Sequence, residues 1–198
     1  MAPVLVSLAL LAGCGAAERQ DEDEPEGEFA VDVTRASFPE KQRLAQSSNL
    51  VISVRNAGDR TLPNVALTVE GLDYRDEEAG LSDPERPQFA VNGLPREIGG
   101  FPEAKDAAPL GCDTVYVDTW ACGALRPGDE RSFRFSVTAV KAGPYEIGWR
   151  VAAGLDGKAR AVGARGRPLK GLFAGTVDDE PPDTRIGEDG RTVVESGR

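Results

Sequence analysis

The chain has 198 residues, 33 acidic against 23 basic, no histidine and a net charge of -10. Phosphate binding needs a concentrated basic surface, so nucleic acid is excluded as the expected partner. The lack of histidine removes the commonest general base, and with it Ser-His-Asp and Cys-His catalysis. Neither Gly-x-Ser-x-Gly nor a phosphate-cradling Gly-x-x-x-x-Gly-Lys-Ser/Thr occurs.

The first feature along the chain is the apolar run Pro3 to Ala12 (PVLVSLALLA). It is about half the roughly 20 residues needed to span a bilayer as a helix and suits the apolar region of a signal peptide. It ends in Leu11-Ala12-Gly13-Cys14, which resembles at all four positions the lipobox of bacterial lipoproteins. The small residues let a peptidase hold an extended backbone, and the thiol takes a diacylglyceryl group. The resemblance implies removal of residues 1–13 and lipidation of Cys14. Anchoring then has the two acyl chains that stable attachment requires. The alternative is a short buried helix in which Cys14 packs as a small hydrophobe, and the charge run that follows argues against it. No Lys or Arg precedes the run, so the coding start is expected further upstream.

Gly15 to Glu28 (GAAERQDEDEPEGE) carries seven acids against Arg19 and no apolar periodicity. Residues 14–28 are therefore expected to form a lipidated, disordered acidic tether with a reach of at most about 45 Å. From Phe29 the pattern changes to a period of two. Phe29, Val31 and Val33 alternate with polar or small residues, as do Leu50, Ile52 and Val54, then Val65, Leu67 and Val69. Each run predicts a half-buried strand.

Leu72 to Gly111 breaks the rhythm with five prolines, and residues 73–124 are expected to form a long insertion, with short strands at Phe89 to Val91 and Val115 to Trp120. Regularity returns with Phe133, Phe135 and Val137, then Tyr145, Ile147, Trp149 and Val151. Asp156-Gly157 predicts a two-residue hairpin turn leading to Lys158 through Val162. Leu172 to Val177 is a further strand, and residues 179–198 are an acidic tail or a loose hairpin about Asp189-Gly190. No amphipathic helix is evident. Alternating strands with Gly and Pro turns and no helical crossovers predict an all-β protein over 29–178, an antiparallel immunoglobulin-like β-sandwich.

With Cys14 set aside, Cys112 and Cys122 form an even pair ten positions apart, and outside the cytoplasm the simplest reading is a disulfide. A metal pair would want further Cys or His ligands, and a redox pair favours Cys-x-x-Cys spacing. For calcium, Asp73, Asp76, Glu77 and Glu78, or Asp178, Asp179 and Glu180, offer hard oxygens, but neither group has EF-hand spacing, and solvated acidic loops are expected instead. No cofactor and no metal are expected.

Two blocks are similar to bacterial immunoglobulin-like domains of the cell-adhesion-related, CARDB-like kind. They are Asn49 to Gly58 (NLVISVRNAG) and Leu125 to Val151, the latter with Leu-x-Pro-Gly before one strand and Gly-Pro-Tyr before the next. Gly143 to Ile147 also resembles a tyrosine corner. The resemblance implies a sandwich that serves in binding. The chain is thus expected to be a non-catalytic, lipid-anchored, extracytoplasmic binding or structural module of the bacterial cell envelope, its partner an envelope protein or glycan. Tyr74, Phe101, Tyr116 and Trp120, with Phe89 nearby, are the candidate partner surface, the alternative being that most of them cover the sheet edge or pack round Cys112 and Cys122. A small-ligand or glycan receptor using 73–124 is the second expectation, and a hydrolase with paired carboxylates the third.

Overall fold

Alternation of apolar and polar residues gives a strand one face for a core and one for water, and this chain spends that property on two facing sheets. The structure, a computed structural model, describes residues 24–72, 86–92 and 111–191 and the backbone of 73 and 193–195. Strand β1 (Gly27–Ser37) is followed across a short turn by β2 (Lys41–Arg43), and β3 (Ser47–Asn56) returns. Next come β4 (Ala66–Glu70), the two-residue β5 (Leu72–Asp73), β6 (Phe89–Val91), and the hairpin of β7 (Asp113–Tyr116) and β8 (Thr119–Ala121). The sandwich is completed by β9 (Glu130–Ala139), β10 (Gly143–Ala152), β11 (Ala159–Gly163) and β12 (Lys170–Asp178). A small hairpin of β13 (Thr184–Ile186) and β14 (Val193–Glu195) follows.

Sheet 1 has the order β11-β1-β3-β9-β6-β5 and sheet 2 the order β2-β12-β10-β4-β8-β7. The result is an all-β, immunoglobulin-like β-sandwich. Its pairing is mainly antiparallel, with parallel pairs at β1–β11, β2–β12 and β5–β6. Among the described residues the one helical piece is a 3-10 turn at Ala164–Gly166, and no helix is long and apolar enough to cross a membrane.

Leu50, Ile52 and Val54 of β3 and Phe133, Phe135 and Val137 of β9 point inward from sheet 1 and are at most 1% exposed. Leu67, Val69, Tyr145, Ile147, Val151 and Val177 meet them from sheet 2. Burial of each large side chain contributes about 1.5–3 kcal/mol, set against the conformational entropy lost on folding. Edge-to-face aromatic pairs lock the layers together: Phe89 with Tyr145 at 4.9 Å, Trp120 with Phe135 at 4.9 Å, and Phe38 with Phe89 at 5.1 Å. Gly171 and Gly175 of β12 face Trp149 and Tyr145 of β10. A Cβ at Gly171 would stand 2.6 Å from the Trp149 ring, and one at Gly175 only 2.1 Å from the Glu40 carbonyl oxygen. Large aromatics on β10 are therefore accommodated by absent side chains on its neighbour.

The structure departs from the expectations at five places. Asp156-Gly157 turns the chain, with Gly157 at φ 86°, but forms no hairpin: β11 leaves sheet 2 and pairs parallel with β1 in sheet 1. The Glu24 carboxylate holds this crossover, accepting backbone N–H bonds from Leu155, Asp156 and Ala159 at 2.6, 3.2 and 2.7 Å. The expected tether 14–28 thus ends in docked residues, with Glu24 bonded and β1 starting at Gly27. The tyrosine corner is not local, because the Tyr145 hydroxyl donates to the Pro39 carbonyl, 106 positions away, at the entry to β2. The 73–124 segment carries the strand expected at Phe89 to Val91 as β6, but it is not an insertion outside the sandwich: β6 joins sheet 1 beside β9, and β7–β8 extends sheet 2 beyond β4. Finally, Val115 to Trp120 is two strands around a turn rather than a single edge strand.

Candidate functional site

Of the residues singled out in the sequence, Cys14, Tyr74 and Phe101 lie outside the described residues, as do Asp76, Glu77 and Glu78. Cys112 and Cys122 are joined in a disulfide that closes the base of the β7–β8 hairpin. Within it the two candidate aromatics part company. Tyr116 is 51% exposed beside Val117 at 66%, at a tip whose Asp118 takes φ 59°. The Asp118 carbonyl accepts from the Val69 amide at 2.9 Å, which ties this tip to β4. Trp120 is fully buried between the sheets against Phe135, and Phe89 is equally buried. Trp120 therefore offers no contact surface. Alternation alone would put positions 116 and 120 on one face; the two-residue turn between β7 and β8 intervenes and sends them to opposite faces.

The register of sheet 2 builds a row across its outer face. Lys170 stands opposite Arg150, Arg150 opposite Thr68, Thr68 opposite Thr119, and Thr119 opposite Tyr116. The two threonine hydroxyls share a hydrogen bond of 3.0 Å. In the next row Gly148 lies between Leu172 on one side and Glu70 on the other. Because Gly148 has no side chain, the two rows enclose an open groove of about 480 Å³, lined by Thr68, Glu70, Gly148, Arg150, Lys170 and Leu172 among others. Leu172 is 56% exposed. Among the described residues neither Arg150 nor Lys170 has an ion-pair or hydrogen-bond partner for its side chain, and Glu70 has none either.

Sheet 1 treats charge differently. Glu28 faces Arg160, Asp32 faces Arg55, and Arg55 faces Glu130. Asp32 is 3% exposed and held by Arg55 at 2.9 Å and Arg167 at 3.0 Å. Arg167 reaches it because Arg165, in the left-handed region at φ 56°, bends the chain after β11 back over β1. A second groove of about 350 Å³ lies beside this cluster, lined by Asp32, Arg55, Asn56 and Arg165 among others. Its one buried charge is already neutralised by two arginines, which makes it a structural clamp.

Titration is perturbed at two groups. Burial pushes the Tyr145 hydroxyl above its ordinary value, opposed by its hydrogen bond with Gln42. The backbone and side chain of Lys158 hold the Asp156 carboxyl below the usual aspartate value. Neither group faces a groove. Asp178, Asp179 and Glu180 close β12 and follow it, and no group of three metal-ligating side chains exists among the described residues.

The sequence matches no protein-family profile and no curated protein. Among solved structures it is similar to the CARDB domain of a Pyrococcus furiosus protein, crystallised with di-metal ions, at 14% identity and a TM-score of 0.43, over 82% of this chain and 98% of that one. It is also similar to the solution structure of that domain, at 15% identity and a TM-score of 0.39, over 77% and 94%. Trypsin-activated α2-macroglobulin from Escherichia coli is similar at 15% identity and a TM-score of 0.40, over 81% of this chain and 9% of that much longer one.

Proposed function

We propose that this chain is a lipid-anchored, extracytoplasmic binding module of the bacterial cell envelope, with no catalytic activity of its own. Acyl chains on Cys14 hold the base, the acidic segment up to residue 23 gives reach, and the sandwich presents a surface to an envelope protein or glycan. The observation that carries this reading is the Cys112–Cys122 disulfide closing the β7–β8 hairpin. Such bonds persist in oxidising compartments and are rare in the cytosol, which agrees with the lipobox-like Leu11-Ala12-Gly13-Cys14 near the start of the chain. The test is to grow cells with a radioactive fatty acid and compare the wild type with Cys14→Ser. The wild type is expected to carry label and sediment with membranes, and the variant to do neither. An unlabelled wild type recovered in the soluble cytosolic fraction would overturn the proposal.

A second reading, a receptor for a small ligand or glycan, is favoured by one specific observation. The groove over Gly148 carries two cations and a carboxylate without partners among the described residues, beside an exposed leucine. Polar groups converging on a concavity of several hundred Å³ are the ordinary make-up of a ligand site.

A further inference from the structure

Resting on the binding-module reading, we infer that the outer face of sheet 2 is a site for an acidic sugar, with the ligand's carboxylate seated between Arg150 and Lys170 over Gly148. Like charges directly opposed across a ladder destabilise a sheet. The other charges in direct register among the described residues are complementary: Glu28 with Arg160, Asp32 with Arg55, Arg55 with Glu130, and Arg43 with Asp178. Arg150 with Lys170 is the exception, in a chain whose net charge is -10. A pair of cations kept together at a cost, in an acidic protein, is a socket for an anion. The guanidinium fork suits the planar oxygens of a carboxylate.

The rest of the groove selects among anions. Glu70 stands one register step away, opposite Gly148. A phosphate, with a charge of roughly -1.5 to -2, would feel the repulsion of that carboxylate and the attraction of the two cations alike more strongly, so charge alone does not choose between the anions and the groups around the anion decide. Glu70 is instead an acceptor for hydroxyl donors, and a sugar ring supplies these on the side away from its carboxyl group. Leu172, more than half exposed, gives the apolar C–H face of the ring a surface to lie on. The row continues past the groove through Thr68 and Thr119 to Tyr116, four strand spacings or about 19 Å from Lys170. The site is therefore open along the row, as a chain of sugars requires, with an exposed aromatic ring at its far end.

The experiment is titration calorimetry of the full chain in detergent at low salt, with a trigalacturonate, a neutral trisaccharide of the same length, and a sugar phosphate as probes. The trigalacturonate is expected to bind at least tenfold more tightly than either of the others. Arg150→Gln and Lys170→Gln are each expected to weaken it more than tenfold while leaving the melting temperature unchanged or raised. Gly148→Val, which fills the floor without altering charge, is expected to abolish binding in a chain that still melts cooperatively. No binding by the wild type, equal affinity for the neutral sugar, preference for the sugar phosphate, or unchanged affinity in the folded variants would each overturn the assignment. A wild type that takes up fatty-acid label but binds no uronate would sink this inference and leave the tethering proposal standing.

Discussion

The two sheets share one core but treat their outer faces in opposite ways. On β1 and its neighbours sheet 1 pairs its charges: Asp32 is clamped by Arg55 and Arg167, Glu130 accepts from the Thr34 hydroxyl at 2.9 Å, and Ser53 and Ser132 bond each other at 2.7 Å. Sheet 2 leaves Arg150, Lys170 and Glu70 facing solvent around a glycine floor. A face whose polar groups are satisfied by one another has little left for a ligand. A face that holds like charges side by side is less stable than it need be, and the surplus is available for binding. The inferred uronate site lies on the second kind of face.

The difference lies in the outer faces only if both inner faces are equally committed to the core, and the largest predicted effect tests that premise. Trp120→Ala should cost about 3–5 kcal/mol, because a fully buried indole leaves a cavity against Phe135, whereas Tyr116→Ala at the hairpin tip should stay within about 0.5 kcal/mol. Denaturant midpoints for the pair check this, and equal effects would mean that the β7–β8 hairpin is not part of the core. Removing the disulfide with Cys112→Ser and Cys122→Ser together should cost about 2.5–3 kcal/mol, from the loop entropy regained by the unfolded chain. The loss should be matched by adding reductant to the wild type.

On the outer face of sheet 1, Asp32→Asn should destabilise by about 1–3 kcal/mol. The neutral amide leaves Arg55 and Arg167 facing each other, and the value is set below that of a fully buried pair because the arginines are 42% and 48% exposed. Lys170→Gln on sheet 2 should cost nothing. If Asp32→Asn also proved neutral, the contrast between the faces would fail on the sheet 1 side.

Much of the sandwich was legible because period-two alternation survives in long strands. The runs at Phe29, Leu50, Phe133 and Tyr145 each became a strand with the expected residues inward. Short strands were not legible: β2 has three residues, too few to display a period, and its Gln42 is buried. The anion-binding row was hidden for a different reason. Reading Asp156-Gly157 as a hairpin pairs β10 with β11, and Arg150 then never meets Lys170. The true pairing depends on a crossover fixed by Glu24, more than 130 positions from its partners, which no local pattern encodes. The disulfide was readable from cysteine parity. The split between Tyr116 and Trp120 was not, since it needs the turn between β7 and β8.

The smaller effects sharpen the comparison most, because they change charge without touching the core. Lys170→Glu turns the one like-charged register pair among the described residues into a complementary one, and should stabilise the fold by about 0.2–1 kcal/mol while destroying the uronate site. A stabilised, non-binding variant is the signature of a face kept strained for function.

The smallest effect concerns the crossover between the sheets. Lys158 holds the Asp156 carboxyl below its ordinary value of 3.8, so the charged form is favoured by folding. Its contribution is fully present above that value and is lost as pH falls through the lower folded one. Asp156→Asn keeps an oxygen to accept the Lys158 amide but has no proton to gain. The two melting curves should therefore differ slightly at pH 6 and converge below about pH 4. Because Asp156 does not line the groove over Gly148, uronate affinity at pH 6 should be the same in both proteins. A change in that affinity would show that the crossover positions β10 against β12, and the two faces would no longer be independent.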